Sequence, residues 1–230
     1  MTAPAVAILL AAGTGERMGG DRPKAFLSID GRALLTMAAE AACGGSRVGS
    51  LVVAAPLGWE QRAAALLPAD TPAEVLRGGA SRQESVRLAL AAVPEEAAVV
   101  VVHDAARALA PASLFDAVID ALDDDAAAGS VPVVAVPDTV KRLERDWVVE
   151  TVPREGLALA QTPQAFRRQA LVDAHERAAE AGLEFTDDAA LVEWAGGRVR
   201  TVSGSADNFK VTTEGDLARV SFVLKARGSV

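Results

Sequence analysis

Residues 98–103, AVVVVH, hold four consecutive valines, and that run removes most of the folds open to this chain. A strand with one wet face alternates apolar and polar side chains. A continuous β-branched run is stable only where both faces are covered, which requires helices above and below a sheet. The flanking sequence repeats the theme. AVAILLA (5–11) predicts a first strand followed by a helix near 33–43, and LVVAA (51–55) precedes a helix near 59–67. AEVLR (73–77) leads into SRQESVRLALAAV, where Val86, Ala89, Leu90 and Val93 mark one helix face. Ser81 and Glu84 have the spacing of a capping box. A helix opened by Ser113 and Asp116 and a strand VPVVAV (131–136) follow. These units predict one α/β domain over 1–230, a mostly parallel twisted sheet with helices on both faces.

The rhythm breaks at 138–154, DTVKRLERDWVVETVPR, where two β-rich pieces flank a charged turn and no helix follows. This predicts a hairpin arm leaving the sheet. Such an arm is too small to be stable alone, so it is expected to pack on another subunit. Beyond it the sequence predicts a helix in RRQALVDAHERAAEAG, a short helix after Thr186, the strand RVRTVSG, and a last helix from about Thr213. Asp123–Asp125 reads as a solvated helix end.

Composition excludes several classes of function. Cys43 is the single cysteine, so no intrachain disulfide is possible, and it reads as a small core residue. Two histidines, His103 and His175, leave no cluster for zinc. A formal charge of −8 and a pI near 4.9 argue against nucleic acid or an anionic membrane as the main partner. AVAILLAA stops at Gly13, short of a membrane span, and lacks the charged start of a signal peptide. A soluble, cytoplasmic protein is expected.

Against that acidic background, LLAAGTGERMGGDRPKAF (9–26) gathers Arg17, Arg22 and Lys24 in a loop broken by Gly13, Gly15, Gly19 and Gly20. Glycines let backbone N–H groups come close to a ligand, and the cations select an anion. In a parallel sheet ligands bind beyond the carboxyl ends of strands, so the loops to read are 12–24, 78–81 and 103–111. The first loop predicts phosphate. It is one residue longer than a dinucleotide fingerprint, no helical pattern starts at Gly15, and a P-loop is absent.

Six further segments extend the pattern: GGASRQESV (78–86), VVHDAAR (101–107), DTVKR (138–142), ALAQTPQAF (158–166), FTDDA (185–189) and DNFKVT (207–212). With the first loop, they occur in the order and spacing of the 2-C-methyl-D-erythritol 4-phosphate cytidylyltransferase family, which this chain resembles over nearly its whole length. The resemblance implies a Rossmann-like, GT-A-like nucleotidyltransferase fold. It implies transfer of CMP from CTP to methylerythritol phosphate in the non-mevalonate isoprenoid pathway, with Mg²⁺ held largely through the CTP phosphates and no protein metal site. Ala11, Ala12, Gly13, Gly15, Gly79, Ser85 and Ala105 would bind CTP. Backbone groups near Ala11 and Gly79 would meet the amino edge of cytosine, and Ser85 its carbonyl. Arg17 and Lys24 would stabilise the transition state, and Arg154 and Lys210 would hold the attacking phosphate. Asp104, Arg107, Thr139 and Thr186 would complete the second substrate's site. The arm would exchange across a homodimer, carrying Thr139 and Arg154 into the neighbouring site.

Some residues receive plainer readings. His103 is expected to pack locally, Arg22 to be a surface charge, and Asp187 and Asp188 to cap the helix after Thr186. Ala25, Ala80 and Ala108 depart from residues usual in the family. With the sequence ending at Val230, no fused second enzyme is expected. The rival readings are ribitol-5-phosphate cytidylyltransferase, a CTP-binding module without turnover and, weakest, a nicotinamide dehydrogenase.

Overall fold

The computed structural model describes residues 4–13 and 22–228. Strand β1 (Ala5–Leu10) leads through a small ribbon, β2 (Ser28–Ile29) and β3 (Arg32–Ala33), into helix α1 (Leu34–Cys43). Then come β4 (Val48–Ala55), α2 (Glu60–Ala64), β5 (Ala73–Arg77), α3 (Arg82–Leu90), β6 (Val99–Asp104) and α4 (Ala112–Asp120). The second half runs β7 (Gly129–Ala135), β8 (Val140–Glu144), β9 (Trp147–Val152), β10 (Ala158–Ala160), β11 (Gln164–Arg167), α5 (Arg168–Ala181), α6 (Asp188–Trp194), β12 (Val199–Ser203) and α7 (Glu214–Ala226). Among the described residues no helix is long and apolar enough to cross a membrane.

The valine run does what its composition demands. Val101 is buried on one face of β6 with Ala7, Leu9, Val53 and Phe115, under α1 and α4. Val100 and Val102 are buried on the other with Val6, Ile8, Val86 and Leu171, under α3 and α5. Strands β5, β4, β1 and β6 are mutually parallel. Strand β11 then inserts antiparallel between β6 and β7, β10 continues antiparallel along the end of β7, and β12 lies parallel along β7. A third core cluster, with Leu34, Met37, Leu109, Val220 and Leu224, seats α7 beside the loop after β6.

Three local expectations change. The sequence reading assigns no strand to ALAQTPQAF, yet it forms β10 and β11, separated by Gln161–Pro163 with a cis Thr162–Pro163 peptide. Helix α4 has no side-chain cap among the described residues; Asp116 instead accepts the N–H groups of Ser46 and Arg47, both at 3.1 Å, and ties down the loop before β4. Half of the Ser81–Glu84 box forms. Ser81 accepts from the Glu84 N–H, while the Glu84 carboxylate reaches back to the Ala80 N–H at 2.6 Å.

The arm is present as β8 and β9, paired only with each other among the described strands. They turn through Arg145 and Asp146, with Arg145 at φ 51. Leu143, Trp147, Val148 and Val149 are exposed along it.

Candidate active site

The carboxyl ends of β1, β5 and β6 open into a cleft of about 1100 Å³. Ala11, Ala12, Gly13, Lys24, Gly79, Ser85, Asp104 and Lys210 line it. Eight predicted site residues are thus brought together. Gly15 and Arg17 lie outside the described residues, as do Gly19 and Gly20.

The turn between β5 and α3 shapes one wall. Gly78 follows β5, its N–H donated to Ala55 O at 2.8 Å. A side chain there has no room: a Cβ would stand 2.4 Å from Ala12 Cβ. Gly79 donates its N–H to Ser85 Oγ at 3.0 Å, and the Ser85 hydroxyl donates to Ser81 O at 2.8 Å. The single Ser85 proton is therefore committed within the turn, and contact with a base carbonyl requires it to leave Ser81.

The opposite wall is ionic. Asp104, at the end of β6, is buried and both its carboxylate oxygens are engaged. Oδ2 accepts from Lys210 Nζ at 2.7 Å and Oδ1 from Arg82 Nε at 3.3 Å. Burial alone would raise the Asp104 pKa, but Arg82 and Lys210 overcome it and hold the group well below the usual carboxylate range. The Arg82 guanidinium also reaches Asp188 Oδ2 at 2.7 Å, and the other Asp188 oxygen meets His175 Nε2 at 3.2 Å. Asp188 is buried in this network and is not an exposed cap. Asp187 is the capping residue, accepting the Ala190 N–H at 3.0 Å.

The 2-C-methyl-D-erythritol 4-phosphate cytidylyltransferase (IspD) family model matches residues 5–226. The chain belongs to this family. It is 45% identical to the enzyme of that name from Frankia casuarinae over 219 residues, covering 95% of this chain and 80% of the relative. It is 42% identical to the bifunctional enzyme IspD/IspF of Rhodospirillum rubrum, covering 98% of this chain and 58% of the longer relative. The crystal structure of the Thermus thermophilus enzyme of the family aligns with a TM-score of 0.78 at 36% identity, covering 96% of this chain and 99% of that one. The fold is the family's mostly parallel sheet with its hairpin arm.

Other residues carried over from the family lie outside the cleft of a single chain. Ala105 is fully buried, its N–H donated to Leu10 O at 3.1 Å, and Ala106 lines the cleft at that turn. Arg107 is not among the lining residues; it donates to Asn208 O at 2.8 Å while its charge acts on Asp104. Thr186 is exposed ahead of the α6 cap. Thr139 and Arg154 are exposed on the arm, where Arg154 donates to Pro137 O. His103 is fully buried on Phe115, shares a hydrogen bond with Thr162 Oγ1 at 3.1 Å, and is pushed down to about 4 by that burial.

Sequence reasoning missed Arg82, Gln161 and Asn208. Arg82 occupies the first turn of α3, where the helix dipole disfavours a cation; that mismatch was the available signal for an anionic partner. Buried Asn208 donates to Gln161 Oε1 at 3.1 Å and to Thr162 O at 2.9 Å, while Gln161 donates to Ser205 O at 2.8 Å. These bonds pin the segment carrying Lys210 onto the gap between β10 and β11. No periodic pattern announces such a clamp.

The donor set also bears on Mg²⁺, which the resemblance implies. Among the described residues no group of three His, Cys, Asp or Glu side chains is placed to hold a metal. Of the described carboxylates that line the cleft, Asp104 is engaged by two cations and Glu84 accepts the Ala80 N–H. The lining ammonium groups of Lys24 and Lys210 suit the phosphates on which such an ion would be carried.

Proposed function

We propose that this protein transfers CMP from CTP to 2-C-methyl-D-erythritol 4-phosphate, releasing pyrophosphate and forming 4-diphosphocytidyl-2-C-methyl-D-erythritol in the non-mevalonate isoprenoid pathway. The observation that carries the reading is one cleft lined by the first-strand loop with Lys24, the Gly79–Ser85 turn and the Asp104–Lys210 pair, in a chain of this family.

The attacking group is a phosphomonoester with a second pKa of about 6, largely a dianion at neutral pH. No general base is needed, which agrees with a histidine at the end of β6 that is buried and neutral. The barrier lies in joining two polyanions. Lys24 and Arg17 lower it by stabilising charge at the α-phosphate. Lys210 and Arg154 hold the attacking phosphate in line, which is the positioning half of catalysis. Asp104 accepts from a hydroxyl of the polyol, and Thr139, Thr186 and Arg107 border the same substrate. Backbone groups at Ala11 and Gly79, with Ser85, read cytosine. Mg²⁺ on the triphosphate supplies Lewis-acid stabilisation of the phosphate charge.

The functional unit in this reading is a homodimer. Leu143 and its partner Val148 are exposed on one face of the arm and Trp147 on the other, and the arm pairs with no other described strand. A second copy packed on the arm would receive Thr139 and Arg154 at its own cleft. CTP comes from the intracellular nucleotide pool, so the cytoplasm is the working compartment.

The test is pyrophosphate release with CTP plus methylerythritol phosphate, run beside ribitol 5-phosphate. Release that needs both CTP and methylerythritol phosphate supports the proposal. Equal efficiency with ribitol 5-phosphate moves the reading to that enzyme, and CTP binding without release reduces the protein to a binding module.

A further inference from the structure

Arg82 joins the two walls of the cleft. It directly follows Ser81, the cap of the base-reading turn, and its side chain crosses to the end of β6. There it shares Asp104 with Lys210, each cation on a different oxygen. Both side chains line the cleft, Lys210 at 41% exposed and Arg82 at 25%, but Arg82 is also anchored on Asp188, which is buried against His175.

An incoming phosphate dianion competes with the singly charged Asp104 carboxylate for the Lys210 ammonium. If Lys210 were the only partner, its departure would strand a buried carboxylate, which is strongly unfavourable. Arg82 removes that obstacle. We infer that Arg82 is a positioning residue for the second substrate: it fixes Asp104 through the other oxygen, so that Lys210 can leave for the attacking phosphate while Asp104 stays in place for the polyol. This rests on the proposed role of Lys210. A purely stabilising role fits Arg82 less well. Buried ion pairs seldom add net stability, and Arg82 Nη2 is buried with no hydrogen-bond partner among the described residues.

Among the described residues, the charged and titratable groups facing Asp104 are Arg82 from α3, Lys210 ahead of α7, Arg107 from the loop after β6, and His103 on β6. Without Arg82 the carboxylate loses its largest opposing charge, and its titration moves up toward the ordinary range.

The experiment is steady-state pyrophosphate release by Arg82→Gln and Arg82→Lys, varying each substrate and pH, with CTP affinity titrated directly. Arg82→Gln should raise KM for methylerythritol phosphate about ten- to a hundredfold, the loss expected for a charged hydrogen bond. CTP affinity should stay near that of the parent. The acid limb of kcat/KM for the polyol phosphate should shift to higher pH, and Arg82→Lys should recover part of both effects. If Arg82→Gln fails to fold, Asp188→Asn frees the anchor without altering the cleft's lining and should raise the same KM by a smaller factor. An active parent whose variants lose both substrates' affinity in step, or lose neither, overturns the inference alone. A parent that releases no pyrophosphate overturns the functional reading and this inference with it.

Discussion

Gly78→Ala tests whether contact between two turns sets the geometry of the CTP site. The new Cβ would stand 2.4 Å from Ala12 Cβ and 3.1 Å from Ser85 Oγ. Carbon atoms rest about 3.5–4.0 Å apart, so the turns must separate by roughly 1.1–1.6 Å. Neither yields freely: Gly78 N–H is bonded to Ala55 O at 2.8 Å, and the adjoining Ala11 N–H to Ala54 O at 2.9 Å. The strain therefore moves Gly79 and Ser85 relative to Ala11–Gly13. Overpacking of this kind costs about 1–3 kcal/mol of stability. A displacement of about 1 Å between positioning groups costs on the order of 10² in rate. Urea denaturation, CTP titration and kcat/KM would measure the three effects. Gly215→Ala is the control, because its Cβ would meet only Thr213 Oγ1, at 3.7 Å, in the first turn of α7. That change should leave activity alone and add about 0.4–1 kcal/mol of stability. A Gly78→Ala protein that keeps its CTP affinity and a kcat/KM within about twofold of the parent would refute the reasoning.

Base selectivity should follow from the same wall: kcat/KM for CTP should exceed that for UTP about 5–150-fold, since one unpaired buried group costs about 1–3 kcal/mol, and ATP should fail on size. Comparable turnover with all three would remove Ser85 and Gly79 from base reading. Mixing Lys24→Ala with Arg154→Ala subunits, each nearly inactive alone, should restore part of the activity, because one site of a heterodimer then carries neither lesion; no recovery despite proven heterodimers would place Arg154 in its own subunit's site. His103 should drain stability in acid, because the unfolded chain takes up its proton near 6.5 and the folded chain only near 4. Up to about 3 kcal/mol is then present above pH 6.5 and lost as pH falls through that window. Denaturation midpoints against pH would show it, and an unchanged slope in His103→Gln would contradict it.

The layers were legible because they rest on burial. Four valines without a polar partner forced a covered strand, and Val100, Val101 and Val102 are buried on alternate faces. The arm was legible for the opposite reason, as β-rich segments with nothing of their own to pack on. Strands β10 and β11 were not legible: they are three and four residues long, and their pairing is set by the edges of β6 and β7. In the site, glycines and isolated cations show in a sequence, so the loop with Lys24 and the turn with Gly79 could be found. Partnerships between distant residues do not show. Asp188 reads as a cap in the sequence, but its partners are Arg82, 106 residues away, and His175 on the preceding helix, which only the fold brings to it.

The most direct test of cytidylyl transfer is a phosphorus-31 NMR time course of the protein with CTP, methylerythritol phosphate and Mg²⁺. The account predicts that the monoester and triphosphate signals fall together while pyrophosphate and a new diphosphate diester rise in equal amounts. Consumption of CTP to CMP with the monoester untouched, or no consumption at all, would contradict it.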